Sequence, residues 1–381
     1  MAEESAALGQ VLDDAADRSS ERVYSATQWQ LMWWRLRKHR LAMAAAIVLL
    51  GFYIVVLGAN FLAVSDPVFS EAKRGEMPPQ RLHFFDGFKP GLYVTGVSGQ
   101  RDSKTFKKVY VNDPEVKIPV RLFARGYEYD FLGFITTDRH LFGVSAPHKS
   151  EETLFLLGTD VQGRDVWSRL MVATRVSMLI GLVSVVISLI LGVLLGGISG
   201  YYGGWADIII QRVIEILRSI PTIPLWMGIA AAVPREWSII KMYFAITIII
   251  SLIGWTTLAR EVRGRFLSLR DEDFVTAAEL SGASKMRIIF RHMAPSFLSH
   301  IIASTTLALP AIIISETSLS FLGLGLRPPA ISWGVMLQAA QNVQTIALTP
   351  WLMIPAIPVI GAVLAFNFLG DGLRDAADPY G

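Results

Sequence analysis

Phe274-Val-Thr-Ala-Ala-Glu-Leu-Ser-Gly282 and the basic run that follows to Pro295 are polar and charged. They nevertheless lie between two long apolar segments, 239–258 and 297–314. A membrane protein that keeps an ordered, charged loop between two spans presents it to a partner. Local chemistry predicts the order. Asp273 is a good N-cap for a helix starting at Phe274. Gly282 is placed to end that helix in a left-handed turn. About two turns of helix are marginal alone, so packing must hold them, and Phe274, Val275, Ala277, Ala278 and Leu280 supply apolar surface. The small Ala277 and Ala278 allow close approach by another surface. Ser284 can cap a second helix over 285–293, which Pro295 then breaks. The alternative is a plain solvated loop, against which the ordered sequence of caps and breakers argues.

Composition points to a membrane protein. Of 381 residues, 52% are hydrophobic and 18% charged, whereas soluble domains are nearer a quarter charged. The apolar residues gather in runs near the ~20 needed to cross a ~30 Å hydrocarbon layer. A net charge of +3 is too small to point to nucleic acid, and the absence of cysteine leaves no disulfide, thiolate or Cys-ligated metal chemistry.

Residues 1–40 read as a polar, acidic-leaning disordered tail followed by an amphipathic helix. Trp29, Met32, Trp33 and Leu36 recur at helical spacing among Arg35, Arg37, Lys38, His39 and Arg40. An interfacial helix with aromatic and basic anchors fits this; an ordinary helix leading into a span is the alternative. The first span is 41–64, and the basic cluster before it places the N-terminus in the cytoplasm. Residues 65–153 then read as an extracytoplasmic β-rich insertion, with strand-like pieces at 108–112 and 116–123. Further spans are expected near 176–199, 208–233, 239–258, 297–314 and 351–369, which gives six transmembrane helices with both termini inside. The cytoplasmic loop 260–295 carries seven Lys/Arg, against three in the two later outside stretches, the direction expected of cytoplasmic loops. The third span is the least regular, because Arg212, Glu215 and Arg218 lie within it.

Thr276-Ala277-Ala278 with Gly282, and Pro295 beyond, resembles the EAA loop of membrane permease subunits of bacterial ABC importers. Gly254-Trp255, Arg260-x-x-Arg263-Gly264, Leu267-Ser-Leu-Arg270 and Arg291-His292-x-x-Pro295 are similar to the dipeptide/oligopeptide/nickel branch. So are Leu157-Gly-Thr-Asp-x-x-Gly-Arg-Asp-x-x-Ser-Arg-Leu170, Ser320-Phe-Leu-Gly-Leu-Gly325, Ser332-Trp-Gly334 and Asn367-x-Leu-Gly-Asp-Gly-Leu-Arg-Asp375. The likeness covers 154–381 and the first span, and is strongest to the C-type subunit.

The resemblance implies an all-α polytopic membrane protein of type I importer fold, whose spans two to six form a five-helix core over 154–381. It implies a heterodimer with a second permease and an extracytoplasmic substrate-binding protein. It also implies two cytoplasmic ATPase subunits docked on the loop at Thr276, Ala277, Ala278, Glu279, Gly282, Arg291, His292 and Pro295. The chain would bind no cofactor; ATP and Mg would sit on the ATPases, and the location would be the bacterial inner membrane. One departure stands out: the family's acidic first residue is Thr276 here. Glu279, three residues on and close to the same helix face, is the candidate to take its role.

Other constellations read as follows. Gly196–Gly204 is glycine-rich but lacks a phosphate loop's lysine, so close helix packing or a tight turn accounts for it. Leu280-Ser-Gly282 is similar to an ABC signature, but no phosphate-loop motif exists in the chain. Asp160, Gly163, Arg164, Asp165 and Arg169 before span two read as a brace for the helix entry, with substrate contact the alternative. Glu215 and Glu316 are the ionisable residues nearest the membrane interior, where such groups face protein or a water-filled cavity. Glu215 reads as pairing with Arg212 and Arg218. Glu316, without a partner nearby in sequence, either holds a re-entrant 318–325 loop or meets substrate. None of the six histidines pairs with a carboxylate on one helical face, and no metal site or catalytic arrangement is argued. A secondary transporter or channel, or a scaffold displaying 65–153, are the competing readings. A transporter of that kind needs intramembrane coupling groups and matching halves.

Overall fold

Thr27 opens the described chain as a helix cap. The computed structural model describes residues 27–86, 89–101, 108–144, 154–234 and 236–377. The tail expected over 1–22 lies outside them. Thr27 and Gln30 form a capping box, and α1 (Gln28–Lys38) follows. Met32 and Leu36 of α1 are buried against Leu373 and Ala377, while Trp29, Trp33 and Trp34 stay exposed. At His39 the chain turns, and the His39 Nδ1 accepts from the Ala42 amide at 3.1 Å to start α2 (Arg40–Leu62).

Among the described residues, six strands lie between α2 and the next long helix. Four form an antiparallel sheet in the order β1 (Leu82–Asp86), β2 (Lys89–Arg101), β3 (Lys108–Leu122), β6 (Phe142–Val144); β4 (Arg125–Phe131) and β5 (Ile135–Arg139) form a hairpin. The two strand-like pieces expected at 108–112 and 116–123 are one continuous strand. The register between β2 and β3 shifts between Thr95 and Gly96, where Thr95 faces Lys117 but Gly96 faces Asp113. Pro114 sits in that irregularity, the place in a strand where a residue without an N–H is tolerated.

The helical part follows. It contains α3 (Val166–Tyr202), α4 (Gly204–Ser219), α5 (Thr222–Ala231), α6 (Ile239–Leu269), α7 (Asp273–Leu280), α8 (Leu298–Phe321) and α9 (Ala356–Ala377). Among the described residues, five helices are long and apolar enough to cross a membrane, six if the bent pair α4–α5 counts as one span. The single span expected over 208–233 is therefore corrected: α4 and α5 meet at 89°. Pro221 removes a helical donor and pushes Ile220 to extended geometry (φ −91, ψ 130). Asp207, Arg212, Glu215 and Arg218 make α4 amphipathic, and Ile214 is its buried residue.

The long helices overrun their expected ends. At 37 residues, α3 is about 55 Å long, well beyond a hydrocarbon layer. It starts at 166 because Asp165 caps it, accepting from the Trp167 and Ser168 amides. Likewise α6 continues to Leu269 rather than ending at 258, and its last turns carry Val262 and Phe266 into a second core with Val275, Ile288, Ile289 and Met293. The main core joins α2, α3, α6, α8 and α9 around Met178, Ile250, Ile313 and Trp333.

Candidate functional site

The loop between α6 and α8 is built as a small folded unit. Asp273 is the first residue of α7, not its cap. Glu272 occupies the cap position and its side chain makes no capping bond. Gly282 takes φ +77, and Ser284 Oγ accepts from the Arg287 amide at 3.4 Å. The second helix is also corrected. Lys285–Arg287 is α-helical, but Ile288–Met293 winds as a π-helix, and Pro295 lies within the following turn Ala294–Ser296 rather than ending the element. Proline offers no N–H to the preceding turn and its ring crowds the carbonyl there; the wider π turn accommodates both effects. The chain breaks two residues later, at Phe297 (φ −128).

Two faces result. Val275 and Ala278 turn inward with Ile288, Ile289 and Met293 onto Val262 and Phe266 of α6. The close approach allowed by Ala278 is thus made within the chain. The outward face shows Phe274, Thr276, Ala277, Leu280, Met286 and Phe290, with Arg287 and Arg291 exposed beside them. Leu280 is 85% exposed. His292 is half-buried and Pro295 exposed.

The unit is tied to the end of α3, and the neighbouring ends of α4 and α6 are tied to each other. The Tyr201 hydroxyl, near the end of α3, donates to the Glu279 carboxylate. Lys285 Nζ lies 4.9 Å from the centre of the Tyr202 ring. Arg263 of α6 grips Asp207 of α4 through Nε and a terminal nitrogen at 2.5 and 2.6 Å, and Asp207 also accepts from Ser199 at 2.5 Å. Thr276 makes no comparable anchor among the described residues. Glu279 is therefore the acidic residue of α7 fixed in direction.

The charges before α3 form a lock. Asp160 Oδ1 accepts from the Gln162 and Arg164 amides at 2.9 and 3.0 Å, and Oδ2 accepts from Arg164 Nε at 2.6 Å. Arg169 Nε lies 3.7 Å from the same carboxylate, and the Arg169 guanidinium donates to the Pro67 carbonyl at 3.1 Å. Gly163 is required here. Its φ is +77, and a Cβ would sit 2.0 Å from the Glu71 carbonyl oxygen. Asp165 accepts from Ser65 Oγ at 3.3 Å and Ser168 Oγ at 2.5 Å. In turn Ser168 Oγ accepts from the Val64 and Ser65 amides. Burial pushes the Asp165 carboxyl up to about 6, against the hydrogen bonds that favour its charged form. The whole cluster joins the end of α2 to the start of α3.

Glu215 and Glu316 differ from expectation in opposite ways. Glu215 sits on the exposed face of α4, where it accepts from Arg212 at 2.7 Å; Arg218 points instead to Thr257 Oγ1 at 3.3 Å. Glu316 is 1% exposed, and it has a sequence neighbour after all: Ser320, one turn on, donates to Oε1 at 2.9 Å. Ser177 of α3 donates to Oε2 at 3.0 Å while accepting from the Trp333 amide at 3.2 Å. Ser318–Phe321 completes α8 and is not part of a re-entrant loop. The carboxylate thus joins α3, α8 and the segment at Trp333. Glu316→Ala is expected to lower the thermal midpoint of the purified subunit by several degrees, since each lost charged hydrogen bond is worth about 1.5–3 kcal/mol. Substrate preference in the surviving protein should be unchanged. An altered preference at an unchanged midpoint would sink the structural role.

A cavity of about 860 Å³ opens between α5, α6, α8 and α9, and neither Glu215 nor Glu316 lines it. Its polar lining includes Arg218, Glu261, His300, Ser304 and Arg374. Sequence reasoning named Arg218 only as a partner of Glu215 and missed Glu261, His300 and Arg374, because the lining converges from separate helices. His300 Nε2 and Glu261 Oε2 are 3.9 Å apart, a pairing across helices that no single helical face reveals. One usable signal existed: Glu261 lies inside the Arg260-x-x-Arg263 motif at the end of a span.

These features define an integral membrane subunit with an ordered loop that shows an exposed face, and a mainly apolar cavity between its helices into which a few charged side chains are set. Residues 192–380 match the family described as binding-protein-dependent transport system inner membrane component. Residues 27–79 match the N-terminal TM domain of oligopeptide transport permease C. The oligopeptide transport system permease protein OppC of Bacillus subtilis is 35% identical over 259 residues, 68% of this chain and 79% of that protein. The glutathione transport system permease protein GsiD of Pectobacterium atrosepticum is 37% identical over 252 residues, 66% and 79%. The dipeptide transport system permease protein DppC of Alkalihalophilus pseudofirmus is 39% identical over 223 residues, 58% and 71%. Inward-facing structures of the MetNI methionine ABC transporter are also similar, with 17% identity and a TM-score of 0.41 over 54% of this chain and 96% of that one. The chain belongs to the binding-protein-dependent inner-membrane component family: it is a multi-pass permease subunit of an ABC importer.

Proposed function

We propose that this permease carries peptides or related small solutes, and that it does so as half of a heterodimeric path. Six spans, with α4–α5 as the broken third, leave both termini on one side, and the basic residues before the first span and in the 260–295 loop favour the cytoplasm for that side, with the strands of 82–144 outside. The 860 Å³ cavity is its share of the path: it offers cations, a carboxylate and hydroxyls to solutes bearing both amine and carboxylate ends. A separate extracytoplasmic binding protein delivers the solute. Two ATPase subunits, which hold the ATP and Mg, dock on the 274–294 unit.

The observation that carries the reading is the two-faced loop. Its inner face is locked to the ends of α3 and α6, and its outer face presents uncovered Phe274 and Leu280. A rigid lever on long helices converts movement of a docked partner into rocking of packed helices. A secondary transporter or channel has no use for such a lever. Affinity purification of the subunit from its native membrane tests the reading. ATPase subunits and a second permease should co-purify. Solute transport by this chain alone in liposomes, without nucleotide hydrolysis, would overturn it.

Glu279, exposed on α7 and accepting from Tyr201, takes the place of the acidic residue missing at Thr276. Glu279→Ala should weaken transport-stimulated ATP hydrolysis several-fold more than Thr276→Ala, with Tyr201→Phe between them. Near-silent, equal effects of Glu279→Ala and Thr276→Ala would reject the substitution of roles. The substrate itself is read by titrating the binding protein against a panel of peptides, opines and nickel complexes.

A further inference from the structure

We propose that the Leu122–Phe123 corner, between β3 and β4, is a membrane-interface anchor. It seats in the headgroup and upper acyl layer of the outer leaflet, beside the end of α2. The proposal rests on the reading that the strands lie outside the cytoplasm.

The argument begins on α2. Ala42, Ala45, Leu49, Val56 and Ala59 are buried in the bundle. On the opposite side Ile47, Leu50, Ile54 and Leu57 are exposed, at the alternating three- and four-residue spacing of one helical stripe. An exposed apolar stripe on an outer span faces lipid. Phe61 is the next member of that series, and its ring centre lies 6.2 Å from that of Phe123. The stripe therefore does not stop at the helix end. It runs on into the corner, where Leu122 is 67% and Phe123 58% exposed.

The height of the corner is set by hydrogen bonds. The Leu141 amide donates to the Phe61 carbonyl at 2.8 Å, and the Phe123 amide donates to the Leu141 carbonyl at 2.9 Å. A ring nitrogen of His140, Nδ1, is 3.0 Å from the Asn60 carbonyl, and Arg139 donates to the Phe123 carbonyl at 3.0 Å. The corner is pinned to the last turn of α2, and that turn marks the edge of the hydrocarbon.

Residue choice fits the same surroundings. Phe123 has φ +53, the left-handed region that a water-exposed turn fills with Gly, Asn or Asp. Phe123 instead keeps a large apolar ring there, more than half exposed. Arg121, Arg125 and Arg139 stand exposed around it, and Asp138 is 3.7 Å from Arg125 and 4.0 Å from Arg139. Apolar side chains ringed by arginine at a span end are the composition of a membrane interface, where the cations meet phosphate headgroups.

The chain contains no cysteine, so single-site labelling has no background. Leu122→Cys and the strand control Glu115→Cys are each spin-labelled in the full chain, alone and in the assembled importer, in lipid vesicles. Collisions with oxygen, which concentrates in lipid, are compared with those of a water-soluble nickel chelate. The oxygen-to-nickel ratio at 122 is expected to exceed that at 115 several-fold, with or without partner subunits. Equal ratios overturn the proposal. So does loss of both collisions at 122 only in the assembled importer, which assigns the corner to a protein contact. A membrane-impermeant thiol reagent applied outside cells must also label Glu115→Cys. Failure there overturns the orientation, whereas labelling with equal ratios overturns the anchor alone.

Discussion

Gly196→Val is expected to leave no monodisperse subunit after detergent extraction. Gly192, Gly196 and Gly200 repeat every four residues on α3 and form the seam with α6. A Cβ at 196 would lie 2.4 Å from the Ala259 carbonyl oxygen and 2.9 Å from Val262 Cβ; at 200 it would lie 2.6 Å from Phe266 Cβ and 2.8 Å from the Arg263 carbonyl oxygen. Small residues at that spacing let two backbones touch where lipid supplies no hydrophobic drive. Overpacking commonly costs about 1–3 kcal/mol when side chains can move aside. Here the obstacle is backbone, so the helices must separate, and the cost rises beyond that range. Gly51→Val on α2 is the control, since a Cβ there meets nothing within 4 Å. Size-exclusion chromatography reads both. A normal peak for Gly196→Val would refute the seam.

Leu280→Asp is expected to fold and to lose its ATPase. The side chain is 85% exposed, so the charge harms nothing within the chain. If the ATPase docks on this face as proposed, the carboxylate is desolvated without a counter-ion. Central contacts of that kind are worth about 2 kcal/mol or more, roughly a thirty-fold loss of affinity. Pull-down of the ATPase and transport-coupled hydrolysis should fall together while the thermal midpoint stays put. Val275→Asp separates packing from docking. Val275 is fully buried under the same helix, and its replacement should unfold the loop itself. Undiminished ATPase capture by Leu280→Asp would remove the docking face from consideration.

The loop's reading shows how far local chemistry reaches. Gly282 and Ser284 act as turn and cap because each role depends on the residue and its immediate neighbours. Asp273 has a capping side chain, but Glu272 holds the cap position without a side-chain bond, because packing rather than capping holds α7. Ala278 suits a docking surface by its size, yet it is buried in the cluster of Met293 and Phe266, in the chain's own core. An eight-residue helix has two apolar sides in sequence, and a fold is needed to decide which one is covered. The same limit hid the cavity. Arg218, Glu261, His300 and Arg374 stand on different helices, and no motif spacing brings them together.

Hydropathy and motif order alone settled that this is a multi-pass permease. A run of apolar residues long enough to cross lipid is a property of consecutive positions. Tertiary packing decided what consecutive positions do not encode: that Glu316 is sealed by Ser177 of α3, and that Glu279 leans on Tyr201. Each is a meeting of groups distant along the chain or a choice between helix faces. Its energy comes from desolvation and hydrogen bonds that exist only once the helices are assembled.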